Sequence, residues 1–164
     1  MKLLDAPEAW GYTIFCDDIR AEVGGKLTYV GCYMGGRMLV PGPFPFTLQK
    51  LALSVTYSQK FGEVVHPNFW IFFPGDAEDK PSLVIEVPQE ASEKAFEDSK
   101  ELAKKLGSHT GVAVGQFYFA LTGTVIQRPG LIRVRAVRDD QLVRLGTLEI
   151  LLPEGYGEYP PEKA

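Results

Sequence analysis

The chain has 164 residues, 45% of them hydrophobic and 23% charged, with a net charge of −4. That length reads as a single domain spanning 1–164, able to bury a core without a metal or disulfide staple. The acidic balance excludes a general nucleic-acid coat and an anionic-membrane binder, since both need a basic surface.

The elements follow in chain order. Trp10 to Cys16 reads as a strand, with Trp10, Tyr12, Ile14 and Cys16 on one face. A polar stretch, 17–25, ends in Gly24-Gly25, and a second strand covers Lys26 to Met34. Gly35-Gly36 breaks it, and Arg37 to Val40 resumes it after a bulge. Pro41, Pro43 and Pro45 then mark an extended crossing segment. Leu48 to Tyr57 is the clearest amphipathic strand: Leu51, Leu53, Val55 and Tyr57 oppose Lys50, Ala52, Ser54 and Thr56. Phe69 to Phe73 reads as a strand buried on both faces, and Ser82 to Val87 as another, with an acidic, turn-rich loop between them.

Residues 90–107 break the β pattern. Ala95, Ser99, Leu102 and Leu106 form a helical stripe flanked by Phe96 and Ala103. Acids lead and lysines follow, which suits the helix dipole, and Glu90–Lys94 and Glu101–Lys105 stand four apart. Gly107 is the stop. This helix is an insertion that covers an end or edge of a sheet. Val114 to Ile126 is the next strand. A hairpin from Gly130 to Leu152 turns at Asp139-Asp140 and bulges at Gly146. A Pro- and Gly-rich arm, 153–164, ends the chain.

About eight short, aromatic-rich strands and one helix predict an all-β fold with one inserted helix: a two-layer antiparallel β-sandwich, Ig-like or related. Its core should include Ile14, Leu51, Leu53, Val55, Ile71, Phe117, Phe119 and Val134. No apolar run of signal-peptide or membrane-span length occurs, so a cytoplasmic protein is expected. Cys16 and Cys32 lack metal spacing. They read as small buried hydrophobes, although a hairpin closed at Gly24-Gly25 would set them opposite each other.

The run Cys16-Asp17-Asp18-Ile19-Arg20, the turn Gly24-Gly25-Lys26 and the strand Val30-Gly31-Cys32-Tyr33 resemble a family of small bacterial and phage β-sandwich proteins. Phe44-Pro45 and Lys50-Leu51 extend the resemblance, which covers roughly residues 10 to 60. It implies an Ig-like or related sandwich and no mechanism. It also implies a virion association if the chain is phage-encoded.

Three groups of residues are candidate sites. Asp17, Asp18, Arg20 and Glu22 cluster near a strand end. They could serve a metal or acid–base chemistry, but turn-capping acids bridged by an arginine explain them as well. Arg128, Arg133, Arg135, Arg138 and Arg144 gather around the last hairpin and could bind a phosphate, an acidic partner or only water. Residues 76–101 are strongly acidic, so head-to-tail association of copies is conceivable. Tyr156 and Tyr159 offer two rings for docking the arm on another copy. Calcium at Asp76, Glu78 and Asp79 is disfavoured, because the acids at Asp139 and Asp140 lie at the opposite end of a sandwich. No nucleophile or phosphate-loop motif occurs, and no cofactor or metal is expected.

The expected function is therefore a non-catalytic interaction or structural module that self-assembles into a homo-oligomer. A binder of a small anionic ligand or nucleotide is the alternative. A metal-dependent hydrolase using Asp17, Asp18, Glu22 and His66 is a third reading.

Overall fold

A computed structural model describes residues 7–61, 66–107, 111–138 and 141–153. The fold is mostly β with one helix. Its strands are β1 (Ala9–Cys16), β2 (Asp18–Ala21), β3 (Leu27–Val30), β4 (Arg37–Leu39), β5 (Phe46–Lys60), β6 (Asn68–Phe72), β7 (Leu83–Ile85), β8 (Val112–Ile126), β9 (Gly130–Arg138) and β10 (Gln141–Leu151). The helix, α1 (Gln89–Lys105), lies between β7 and β8. A three-stranded sheet has the order β1-β5-β8, a five-stranded sheet the order β4-β10-β9-β6-β7, and β2-β3 form a separate hairpin.

The core is shared by the first two sheets. Leu51, Leu53, Val55 and Tyr57 of β5 meet Phe69 and Ile71 of β6, Ile132 and Val134 of β9, and Leu148 and Ile150 of β10. The alternation of β5 suggests one dry face and one wet face, yet Ala52, Ser54, Thr56 and Ser58 are buried too. Trp10, Tyr12 and Ile14 flank this second face through their register with Ser58, Thr56 and Ser54. Tyr118 flanks it from β8, opposite Ser54. The hairpin also reaches over, with the hydroxyls of Tyr29 and Ser54 3.1 Å apart.

Several expectations need correction. Among the described residues there are ten strands, not about eight. The polar stretch 17–25 holds a strand of its own, β2, closed onto β3 by Gly24 and Gly25 with φ of 80° and 74°. Arg37–Leu39 does not resume β3. Gly35 and Gly36, at φ 73° and 66°, turn the chain onto the other sheet, where β4 pairs with β10. That pairing is parallel, so the strands are not all antiparallel. Ile14 is not in the core. Thr13 pairs with Val55 and Phe15 with Leu53, so Phe15 takes the inward position and Ile14 faces out. Phe117 and Phe119 pack on the core but stay only partly buried.

The helix matches the 3.6-residue pattern in extent, and Gly107 ends it at φ 61°. Glu101 and Lys105 pair at 2.8 Å, whereas Glu90–Lys94 is not among the ion pairs of the described residues. Its stripe is only partly used. Phe96 is buried edge-on against Phe61, at 5.7 Å and 89°, while Leu102 and Leu106 are 56% and 73% exposed.

Leu53→Ala should therefore cost about 2–5 kcal/mol in chemical denaturation, as buried leucine deletions do. Leu102→Ala should stay within about 0.5 kcal/mol, as exposed substitutions do. Equal losses at the two sites would contradict the burial assignment.

Candidate functional site

β9 alternates. Ile132, Val134 and Ala136 enter the core, which leaves Arg133 and Arg135 on the opposite face of the five-stranded sheet. The register sets Trp70 and Arg144 on either side of Arg135, and Phe72 and Thr147 on either side of Arg133. The expectation that Arg133 and Arg135 share a face holds; what surrounds each of them differs.

Arg133 is committed within the chain. Its guanidinium pairs with Glu78 and donates to the carbonyl of Asp76 at 2.6 Å. It also lies 4.8 Å over the Phe72 ring. Asp76 builds the loop that supplies these partners. One of its carboxylate oxygens accepts from the Phe73 and Ser82 backbone N–H groups at 2.8 and 2.9 Å, and the other accepts from the Ser82 hydroxyl at 2.9 Å. The Arg128 guanidinium fills the space a Cβ would take on Gly75, whose φ is 101°. Glycine is needed there for both reasons. The acidic loop and the arginine face, read from sequence as two patches that join separate copies, thus meet inside one chain. Arg138 stands apart, near the Glu8 carboxylate that pairs with Lys60 at 2.8 Å.

Arg135 and Arg144 are left. Arg135 is only 7% exposed, and its guanidinium donates to the carbonyl of its own neighbour, Val134, at 3.1 Å. Among the described residues no carboxylate lies within ion-pair distance of either arginine. Burial is the main cause that lowers the Arg135 pKa. Glu78 opposes it, and the positive charges of Arg133 and Arg144 add to it. A like-charged pair directly across two strands is unfavourable. A desolvated guanidinium without a counter-ion adds to that cost.

The Asp17 cluster is structural in its contacts. Asp17 accepts the Tyr33 hydroxyl at 2.5 Å, and its carboxylate sits where a Cβ on Gly31 would be. Burial, then this carboxylate, raises the Tyr33 pKa. Asp18 takes Lys50 and, at 3.2 Å, the Nε of Arg20. The backbone N–H of Glu22 donates to the Lys26 carbonyl at 2.8 Å. His66 is not brought to these acids; it faces Glu93 of α1 at 3.8 Å. Among the described residues no three His, Cys, Asp or Glu side chains are grouped to hold a metal ion. Cys16 is buried, with its pKa raised by burial and then by nearby Cys32. Both thiols are free, and Cys32 is exposed rather than buried as expected. Tyr156, Tyr159 and the turn acids Asp139 and Asp140 lie outside the described residues.

No protein-family model, curated protein or solved structure matches the chain. No helix among the described residues is long and apolar enough to cross a membrane.

Two outcomes follow from these contacts. Asp76→Ala should cost about 1–3 kcal/mol, because it leaves the loop's donors without acceptors. Denaturant unfolding should register this together with faster proteolysis at residues 74–81. Lys50, then Arg20, lowers the Asp18 pKa. A folded pKa below the unfolded value (~3.9) means the ion pairs stabilise above that pH, and this contribution is lost as pH falls through the folded pKa. An NMR titration of Lys50→Gln should move the Asp18 carboxyl up toward its ordinary range.

Proposed function

We propose that the protein is a non-catalytic interaction module that docks an acidic segment of a protein partner on the arginine-bearing face of β6, β9 and β10. One observation carries this reading: Arg135 and Arg144 oppose each other across β9 and β10, and neither has a carboxylate within ion-pair distance among the described residues. A carboxylate from outside would relieve both the like-charge contact and the lack of a counter-ion. Arginine suits the task, since its planar fork grips a carboxylate through two parallel N–H donors. Exposed Leu131 and Leu142 lie on the same hairpin and offer apolar contact beside the charge. Arg128 and Arg133 act differently in this reading, because they hold the Asp76 loop in place.

A two-layer sandwich, Ig-like or related, is the architecture that goes with it. A core shared between the three- and five-stranded sheets supports that assignment. The parallel β4–β10 pair departs from the plainest form of such a fold.

The test is thermal melting of the full chain with a glutamate-rich peptide and, separately, with inorganic phosphate. The peptide should raise the Tm of the parent protein and leave Arg135→Met and Arg144→Gln unmoved. Without ligand, Arg135→Met should itself be stabilising by about 1 kcal/mol, since it removes a like-charge contact and a desolvated cation. Equal stabilisation by phosphate would favour the small-anion alternative. No stabilisation by either would overturn the proposal.

A further inference from the structure

Among the described residues β8 hydrogen-bonds to β5 along one edge only. It is 15 residues long and contains no charged residue and no proline. In an antiparallel ladder, alternate residues turn their N–H and C=O groups away from the partner, so half of the β8 backbone points to its open edge. Exposed edges in natural proteins are usually kept short, or carry Lys, Pro or a bulge, or are covered. The other edges here follow that rule. β4 and β7 have three residues each. β1 runs beside β10, with Gly11 against Leu145 and Gly146 against Thr13.

β8 follows it only at its ends. α1 packs beside the start of the strand, where Ser92, Ala95 and Phe96 line a small cavity with Ala113, Gly115 and Phe117. Gly123, at φ 63°, bends the far end. Between them Tyr118 is 45% exposed, and Ala120 and Thr122 are exposed as well. On the inward side Phe119 packs on Phe69 at 5.5 Å yet stays partly uncovered.

We propose that β8 pairs antiparallel with β8 of a second copy, joining two three-stranded sheets into one of six strands. The edge is suited to its own copy. Under a two-fold axis each outward N–H meets an outward C=O, and an uncharged strand sets no like charges opposite each other. The half-covered phenylalanines of the two copies come together beneath the joint and shield one another. The arginine face lies on the other sheet, so this pairing does not rest on that assignment.

Sedimentation equilibrium of the full chain, with hydrogen exchange of residues 116–126 at high and low concentration, tests the proposal. A dimer in the micromolar range is expected, with the amides that point away from β5 protected at high concentration and exchanging on dilution. Ala120→Lys with Thr122→Lys should raise the dimer Kd about tenfold or more, because edge lysines block strand pairing. Circular dichroism should show the variant folded; Gln116→Lys replaces it if it is not. A parent chain that stays monomeric at high micromolar concentration overturns the proposal. So does a dimer that persists in the folded lysine variants. Protection, in the monomer, of the amides in 116–126 that point away from β5 also overturns it, since another part of the chain would then cover the edge.

Discussion

From Leu51 to Gln59 every residue of β5 is buried. A strand withdrawn from water on both faces must pair its backbone groups inside the protein, because an unsatisfied N–H or C=O is costly there. β5 therefore needs a strand on each side, and β1 and β8 fill those places with unbroken antiparallel register. Much else follows from that centre. The inward leucines and valine order the opposing sheet through β6, β9 and β10. On the other face the small side chains of Ala52, Ser54, Thr56 and Ser58 are buried, with Trp10, Tyr12 and Tyr118 beside them in register on the flanking strands.

Charge is distributed by a second rule: several cations carried by the strands are matched locally. Lys50 and Arg20 meet Asp18, Arg37 meets Glu149, Lys60 meets Glu8 and Arg133 meets Glu78. Exposed pairs of this kind add little stability each. Their interest lies in the contrast with Arg135 and Arg144. Against that background a desolvated arginine facing another arginine is the exception on which the proposed docking site rests.

Much of the fold was legible because its signals are local. The inward set Leu51, Leu53 and Val55, the helical period of 90–106 and the bulge at Gly146 each depend on neighbours in sequence, and each appears as expected, although the opposite face of β5 is buried rather than wet. What was not legible depends on pairing at a distance. Ile14 and Phe15 are both apolar, and only the register with β5 decides which one points inward. β4 could not be assigned to its sheet, since its partner is β10. The arginine cluster was visible as composition. Its division into Arg133, paired with Glu78, and Arg135, with no carboxylate at ion-pair distance among the described residues, was not, because that rests on how the Asp76 loop folds back. Pro74-Gly75-Asp76 carried a turn signal, but sequence alone gave no sign that Asp76 would staple the loop to Ser82.

The parallel joint between β4 and β10 also bears on how the chain is made. Arg37 and Glu149 face each other across it, 112 residues apart in sequence. Closing so long a loop is slow, and chains dominated by such pairings fold late and cooperatively. On the ribosome β4 emerges long before β10, the strand it pairs with. Met38 and Val40, both buried in the finished core, wait for that strand with their apolar surface uncovered. The five-stranded sheet is therefore completed only once β10 has been made, and a stall before β10 would leave both β4 and β9 without the strand that joins them.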